Sequence, residues 1–320
     1  MNDPSAQPID IEEMRNWLID YRTKTQASWS DLSSRIDIPT GTLSQFGSPR
    51  GYAGNEQKLA ETIFKFRQTI STQAQIAVEA PEVPDFYSTP TSSQLEAVLK
   101  WAQRGRITLA AMGPGLGKTK TAARFSACYS NVFLATMTPS TAGVNNMQQE
   151  VLMSLGERDP VGTPQKLSRQ IRDRVKNLEN PLLIIDEAQH LSEKAVEEIR
   201  SWNDAVGLGI ALFGNLSVIQ RLEGGSRRAA FAQLYSRVSF RVVRQQPLQG
   251  DIDAMADAWG VFEPAERQYL TTIAMLPGGL RGATMALELA TMIASTEQRA
   301  LAKSDLQDAW AQLSARPVAA

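Results

Sequence analysis

The stretch LAAMGPGLGKTKTAARF, residues 109–125, joins an apolar segment to a helix-like segment through three closely spaced glycines. Glycines at this density ahead of a lysine are typical of loops whose backbone N–H groups converge on phosphate oxygens. The usual form of such a loop is G-x-x-x-x-G-K-[ST], and residues 117–119, Gly-Lys-Thr, fit its end. Met112 stands where the outer glycine is expected, and Gly113 follows one residue later. This departure leaves intact the part of the loop nearest the phosphates.

The loop predicts a site for a nucleoside triphosphate, with a strand before it and a helix after it. We expect Lys118 to contact the β- and γ-phosphates and the Thr119 hydroxyl to bind Mg²⁺. The residues expected to bind the nucleotide are Gly113, Pro114, Gly115, Leu116, Gly117, Lys118, Thr119 and Lys120.

An acidic pair gives a second, independent signal. In PLLIIDEAQHL, residues 181–191, an apolar run ends in Asp186 and Glu187, as expected where a buried parallel strand delivers carboxylates to its carboxyl end. Asp186 would hold the metal through water, and Glu187 would polarise the attacking water. Such a pair can also form a solvated turn, but its position after a phosphate loop indicates a nucleoside triphosphatase.

The chain divides into regions of different character along its 320 residues. Residues 1–75 have the pattern of short helices, and residues 76–90, with several prolines among small polar residues, have linker composition. Residues 91–246 alternate apolar strand-like runs with helical patterns, which predicts an α/β fold with a parallel sheet covered by helices on both faces. Residues 247–320 have helical patterns only, and we expect a small helical lid.

Composition excludes several classes of protein. With 42% hydrophobic residues the chain can build a core, and its single cysteine, Cys128, which we expect to be a buried thiol, excludes an internal disulfide. No apolar run approaches the roughly 20 residues that span a bilayer, and the N-terminus lacks the order of a signal peptide. We therefore expect a cytoplasmic protein without a membrane partner. A net charge of −1 excludes a uniformly basic surface but allows a local nucleic-acid-binding stripe.

A polar residue ends the next predicted strand, IALFGN, at Asn215. Its amide could hydrogen-bond the γ-phosphate or the attacking water, or it could serve as a turn residue at a strand end. The order of phosphate loop, acidic strand, polar strand end and helical lid resembles the AAA+ P-loop ATPases from about residue 90 onward. The resemblance implies that Asn215 is the polar sensor. It also implies that Arg281, near the start of a lid helix, reaches the γ-phosphate as a second sensor.

The AAA+ resemblance also implies an arginine finger. Such proteins usually work as rings or spirals in which an arginine of one subunit completes the site of its neighbour. Arg237, just before the last predicted strand, stands where the finger of the family does, and Arg227 and Arg228 are alternatives. These arginines could otherwise form a solvated or polyanion-binding face.

The segment WSDLSSRIDIPTGTLSQF, residues 29–46, has helix-turn-helix spacing, with DIPTG as the turn between two short helices. Any small three-helix bundle shows similar spacing, so that alternative stays open. Residues 1–79 hold 8 basic and 10 acidic side chains, so we expect this domain alone to bind DNA weakly. The side chains that could reach bases or phosphates from the second helix are Thr40, Thr42, Ser44 and Gln45.

Nearly the whole chain resembles the phage Mu B transposition protein family. The resemblance lies in the stretches IPTGTLSQF, TPS at residues 138–140, IIDEAQHL, FGN and GGSRRAAFAQLYSR. It implies ATP-dependent, largely sequence-independent binding to duplex DNA, with ATP and Mg²⁺ as cofactors. It further implies helical filaments of this chain on that DNA, and delivery of the target to a DDE-type transposase.

A basic stretch offers a place for DNA. Residues 158–176 hold six basic and two acidic side chains. Arg169, Arg172 and Lys176 share one helical face at spacings of three and four, as a stripe that follows a phosphate backbone would. The alternative is a solvated helix face. The five basic residues of this stretch that fall within three predicted turns are Lys166, Arg169, Arg172, Arg174 and Lys176.

Two other functions remain open. A helicase loader or replication-type AAA+ ATPase would respond to a replicative helicase instead of a transposase. A transcription regulator that uses its ATPase as an oligomerisation switch would bind a defined operator instead of any duplex.

Overall fold

The computed structural model describes residues 9–79, 85–218 and 236–314, with backbone only for residues 73–79. The chain forms two compact units, Met1–Pro81 and Glu82–Ala320. Among the described helices, none is both long and apolar enough to cross a membrane. Arg227 and Arg228, the alternative finger residues, lie outside the described residues.

Helices alone make up the described part of the first unit. Their starts follow from the sequence, because Asp10 caps α1 and Ser28 forms a capping box with Asp31 on α2. Asp37, with φ 59°, ends α2 in the left-handed conformation and begins the turn to α3, so the predicted helix-turn-helix is present. The helices are α1 (Ile11–Thr25), α2 (Trp29–Ile36), α3 (Thr40–Phe46) and α4 (Glu56–Glu79).

A nearly buried arginine joins three of these helices. Arg15 in α1 donates from Nε to the carbonyl oxygen of Phe46 at 2.8 Å, and its Nη2 lies 2.7 Å from the carboxylate of Glu56. This arginine therefore ties α1 to the end of α3 and to the start of α4. Around it lies an apolar core whose largest fully buried members are Met14, Leu18, Leu32, Leu43, Phe46 and Ile63.

A five-stranded parallel sheet forms the centre of the second unit, with strand order β2-β3-β4-β1-β5. β1 and β4 are buried along their whole length, which explains their uninterrupted apolar runs. Parallel strands place their carboxyl ends at one edge, so the segments that follow β1, β3 and β4 meet there. The strands are β1 (Ile107–Met112), β2 (Val132–Thr136), β3 (Leu182–Asp186), β4 (Gly209–Gly214) and β5 (Val238–Arg244).

Helices cover both faces of the sheet, and the predicted α/β architecture is confirmed. One face packs against α5 and α6, the other against α7, α8 and α9. The corresponding ranges are α5 (Pro90–Ala102), α6 (Lys118–Cys128), α7 (Val144–Ser154), α8 (Pro164–Val175) and α9 (Glu193–Val206).

The predicted helical lid follows β5 and has an apolar core of its own. Asp251, fully buried, accepts hydrogen bonds from the backbone N–H of Thr91 at 2.8 Å and from its hydroxyl at 2.6 Å, which attaches the lid to the start of α5. The lid helices are α10 (Gln249–Ala258), α11 (Pro264–Ala274), α12 (Gly279–Thr296) and α13 (Lys303–Ser314).

The division between the two compact units, after Pro81, falls inside the predicted linker, residues 76–90. Described helices extend into both ends of that range, since α4 continues to Glu79 and Pro90 occupies the first turn of α5 behind the capping residue Thr89. The expectation of a buried thiol at Cys128 is wrong, because this last residue of α6 is exposed.

Candidate nucleotide site

The glycine-rich loop connects β1, which ends at Met112, to α6, which begins at Lys118. Met112 is fully buried in the core of the sheet, so the residue in place of the outer glycine belongs to the strand. The close approach occurs one residue later, where a Cβ on Gly113 would lie 2.2 Å from the carbonyl oxygen of Gln245. The displaced glycine of the sequence is therefore required by the backbone that follows β5.

The loop surrounds the ammonium group of Lys118. Its Nζ donates to the carbonyl oxygens of Met112 at 3.0 Å and Gly113 at 2.9 Å, and the residue is only 9% exposed. Burial lowers the pKa of Lys118, and the carboxylates of Asp186 and Glu187 oppose that shift. A buried cation enclosed by glycine backbone is suited to bind the phosphates of a nucleotide.

The acidic strand β3 meets this loop at Thr119. The Thr119 hydroxyl donates to Oδ2 of Asp186 at 2.6 Å, and the backbone N–H of Glu187 donates to Oδ1 at 2.9 Å. Asp186 is 1% exposed. A hydroxyl and a carboxylate are oxygen ligands that suit Mg²⁺, which usually keeps several waters and binds substrate phosphates as well. Within the described residues, no group of three or more His, Cys, Asp or Glu side chains could hold a metal ion.

Glu187 and Asn215 lie at the ends of the neighbouring strands β3 and β4. Glu187 has φ 54°, a left-handed conformation that is uncommon for residues other than glycine, and it lines a cavity beside the glycine-rich loop. Gln189 lies between the two strand ends: its Nε2 donates to Oε2 of Glu187, and its Oε1 accepts from the backbone N–H of Asn215 at 3.2 Å. The Asn215 side chain itself accepts from the backbone and hydroxyl of Ser217.

A cavity of about 380 Å³, which we call the nucleotide cavity, lies between the glycine-rich loop and lid helix α12. Lys118, Thr119 and Glu187 line its polar end. Lining residues that the sequence analysis did not assign to the site include Phe86, Tyr87, Thr284, Met285 and Glu288.

The segment before α5 supplies the aromatic wall of this cavity. The guanidinium of Arg124 lies 4.4 Å from the ring centroid of Phe86, and burial raises the pKa of Tyr87. The sequence signal for this wall is the pair Phe86-Tyr87, which comes shortly before a capped helix. Because prolines surround the pair, the sequence analysis assigned it to the linker. An apolar wall beside a phosphate loop is suited to contact the base of a nucleotide.

Arg281 lies in the first turn of α12 and lines the same cavity. The lid touches the loop through backbone at this point, since a Cβ on Gly115 would lie 1.9 Å from the carbonyl oxygen of Gly278. The charge of Arg281 also contributes to the lowered pKa of Lys118. Arg281 therefore lies beside the glycine-rich loop, where the AAA+ resemblance leads us to expect it.

Arg237 lies away from this site. It precedes β5, whose first residue Val238 pairs with Ile107 at the start of β1, whereas the phosphate loop follows the end of β1. A strand of this length separates the two edges by about 20 Å. Arg237 is half-exposed and pairs with Asp204 at the end of α9.

The basic stripe lies on α8, whose opposite face is buried through Leu167, Ile171 and Val175. Lys166 and Arg169 are exposed, and Arg172 is half-buried. Two of the five predicted residues pair with acids: Arg174 with Glu157, and Lys176 with Asp173. Within the described residues, the structure shows no ion pair for the residues Lys166, Arg169 and Arg172.

The four candidate residues of the helix-turn-helix lie on α3, which has no charged side chain in its first or last turn. Thr40 and Gln45 are exposed, and Thr42 and Ser44 are half-buried. The Ser44 hydroxyl donates to the carbonyl oxygen of Gly41 at 3.0 Å. This helix therefore presents hydroxyl and amide groups without a positive charge of its own.

The parallel sheet, phosphate loop, acidic strand and helical lid define a P-loop ATPase of the AAA+ class. Residues 103–222 match the family described as AAA domain, and residues 236–313 match the family described as Mu B transposition protein, C terminal. Over 306 residues the chain is 30% identical to the ATP-dependent target DNA activator B of Escherichia phage Mu, covering 95% of this chain and 96% of that protein. The chain belongs to the Mu B transposition protein family.

Other comparisons agree. The chain is 33% identical over 269 residues to the Mu-like prophage FluMu DNA transposition protein B of Haemophilus influenzae, covering 83% of this chain and 92% of that protein. A structure of Drosophila ORC bound to DNA is similar with a TM-score of 0.53 at 16% identity, over 73% of this chain and 63% of that chain. At this identity the likeness supports the AAA+ fold alone.

The contact between the lid and the loop can be tested with Gly115→Ala. An added Cβ would collide with the carbonyl oxygen of Gly278, and φ +71° is unfavourable for alanine, so we expect affinity for a fluorescent ATP analogue to fall about tenfold or more. Gly143→Ala is the matched control, because φ there is −81° and nothing lies within 4 Å of the added Cβ. Normal binding by Gly115→Ala would contradict the close approach.

Proposed function

We propose that this protein hydrolyses ATP, binds duplex DNA largely independently of sequence as a helical filament, and delivers that target DNA to a DDE-type transposase. The observation that carries the proposal is end-to-end similarity to an ATP-dependent target DNA activator in a chain whose loop, Asp186 and Glu187 form one site. Such a protein would act in the cytoplasm of a bacterial host.

The proposed chemistry is attack of water on the γ-phosphorus of ATP. The bond to the β–γ bridging oxygen breaks, ADP leaves, and Glu187 accepts the proton of the attacking water. Lys118 holds the β- and γ-phosphates, while Asn215 and Arg281 contact the γ-phosphate from the sheet and from the lid. Mg²⁺, when bound by Thr119 and through water by Asp186, neutralises charge that develops on the phosphate oxygens.

A trans-acting finger is supported by the position of Arg237. Because it lies one strand length from its own phosphate loop, it could complete a site only on another subunit. Its pairing with Asp204 would give way to a γ-phosphate when a neighbour docks. Hydrolysis would then depend on assembly.

DNA binding is attributed to the stripe on α8, repeated along the filament. Lys166, Arg169 and Arg172 form no intrachain ion pair in the described structure, so their charges are available for phosphates. The helix-turn-helix could contribute hydrogen bonds from α3, but the first unit as a whole is slightly acidic. We therefore assign most of the salt-dependent affinity to the second unit.

Two other functions predict different partners. A helicase loader would be stimulated by a replicative helicase, and an ATP-switched transcription regulator would prefer one operator over random duplex. Similarity along 95% of the chain to a target DNA activator favours the transposition role over both.

The role of Glu187 as the general base can be tested by replacing it with glutamine. Glu187→Gln should bind ATP and DNA but lose turnover, because an amide cannot accept a proton from water; general bases contribute about 10²- to 10⁴-fold in rate. DNA-bound assemblies should persist in this variant, as measured by electron microscopy with ATP and random-sequence duplex. Lys118→Ala is the comparison and should lose nucleotide binding, and with it DNA binding. Turnover by Glu187→Gln at the normal rate would exclude Glu187 as the base.

The second prediction concerns the stripe. Replacing Arg169 and Arg172 by alanine should make the slope of log affinity against log salt less negative by about 1.8, since each phosphate contact contributes about 0.9. Affinity for a random duplex would be measured with ATP between low and moderate salt. Lys100→Ala removes an exposed cation of α5 and should leave the slope unchanged. An unchanged slope in the double variant would mean that α8 presents only a solvated face.

The third prediction concerns the finger. Arg237→Ala should bind ATP but hydrolyse it slowly, because a finger can contribute about 10³- to 10⁵-fold in rate. Mixing it with Lys118→Ala should restore part of the activity, since one variant keeps a working finger and the other a working loop. ATPase would be measured against mixing ratio with and without duplex. A finger that acts within its own subunit gives no rescue at any ratio.

A further inference from the structure

We infer that Gln189 is a positioning residue for ATP hydrolysis, whose carboxamide holds the Glu187 carboxylate and links it to the backbone at the end of β4. The inference rests on the proposed role of Glu187 as the base. Gln189 is not proposed to contact the attacking water or a phosphate of ATP. Its proposed effect on hydrolysis is exerted through Glu187.

The link is built from two hydrogen bonds of one side chain. β3 is followed by a short 3₁₀ helix, Ala188–His190, which places Gln189 between the ends of β3 and β4. Its Nε2 donates to Oε2 of Glu187, and its Oε1 accepts from the backbone N–H of Asn215 at 3.2 Å. Glu187 and Asn215 are both proposed to take part in ATP hydrolysis. They are thus joined through one side-chain amide.

The donor and acceptor properties of its two partners fix the orientation of the Gln189 side-chain amide. A backbone N–H can only donate, and an ionised carboxylate can only accept. Both partners are satisfied only when the Gln189 oxygen faces Asn215 and its NH₂ group faces Glu187. The donor side of the Gln189 amide therefore faces the carboxylate that is proposed to act as the general base.

The glycine of FGN, Gly214, leaves room for this link. A Cβ at Gly214 would lie 2.7 Å from Oε1 of Gln189 and 2.5 Å from Cγ2 of Val218. Ordinary carbon contacts do not come this close, so any larger residue would displace Gln189 or Val218. The small residue at the end of β4 is thus explained by the approach of the Gln189 and Val218 side chains.

Holding one oxygen of Glu187 restricts where the other can be. Glu187 lines the nucleotide cavity, and its backbone is already fixed by the N–H that donates to Asp186. With Oε2 bonded to Gln189, Oε1 is left to face the attacking water. A base oriented by a third group is a recurring arrangement, and misplacing a reacting group by 1 Å can cost on the order of 10²-fold in rate.

Two substitutions of Gln189 test the inference in the full-length protein. Gln189→Met keeps the approximate size and removes the hydrogen bonds to Glu187 and Asn215. Gln189→Glu keeps an acceptor for Asn215 but replaces the donor that faces Glu187 with a carboxylate. We expect kcat for ATP to fall between about tenfold and a hundredfold in Gln189→Met and at least as far in Gln189→Glu, with KM for ATP unchanged. Wild-type kcat in both variants would overturn the inference.

Combination with Glu187→Gln separates positioning from general damage. A residue that acts only through the Glu187 carboxylate has nothing left to position once that group is an amide, so the double variant Glu187→Gln/Gln189→Met should be no slower than Glu187→Gln alone. A further loss in the double variant would assign Gln189 a different role and overturn the inference. Binding of a fluorescent ATP analogue, expected to be normal in each variant, reports that the site is folded.

Gln103→Ala is the matched control. Gln103 is likewise half-buried, and its side-chain amide donates to the carbonyl oxygen of Ser130 at 3.4 Å near the opposite edge of the sheet. Its kcat should equal that of the wild type. If Glu187→Gln alone turns over ATP normally, the proposed base is wrong and the inference fails with it. If Glu187→Gln is inactive while both Gln189 variants are normal, only the inference fails.

Discussion

The hydrogen bond from the Thr119 hydroxyl to the Asp186 carboxylate, 2.6 Å long, depends on the order of strands in the sheet. β1 and β3 are separated by β4, a distance of about 10 Å across two strand spacings. The loop after β1 bridges that distance, so the start of α6 reaches the end of β3. An antiparallel arrangement of β1 and β3 would place the two groups at opposite edges of the sheet, and another strand order would change the distance between them.

The phosphate loop is enclosed by backbone on two sides. The carbonyl oxygen of Gln245 approaches Gly113, and that of Gly278 approaches Gly115. The chain after β5 and the start of the lid are thus both in contact with the loop. Because backbone atoms cannot move aside as flexible side chains can, the position of Arg281 in the first turn of α12 is tied to the loop. The residues of the loop and of the lid that are proposed to contact the nucleotide are therefore held together by backbone contacts.

Different functional residues lie at the two edges of the sheet. The nucleotide cavity lies at the carboxyl edge, and Arg237 lies before β5 at the amino edge, paired with Asp204. On the proposed function, each subunit offers a site at one edge and a finger at the other. Identical subunits joined through unlike surfaces form rings or open helices. Both a ring and the proposed helical filament are compatible with such an arrangement.

The sequence by itself determined the parallel α/β fold, the helical lid, the phosphate loop and the acidic pair, because each depends on local periodicity or on a short motif with fixed spacing. Its predicted linker, residues 76–90, contains the division between the two units but also Pro90 of α5, since proline at a helix start and proline in a loop look alike in sequence. For the same reason it missed the aromatic wall at Phe86 and Tyr87. Only the tertiary structure decided that Gly113 makes the close approach in place of the usual outer glycine, and that Gln189 joins Glu187 to Asn215. Those contacts form between segments far apart in the chain or across neighbouring strands, and no local pattern in the sequence reports the distance between them.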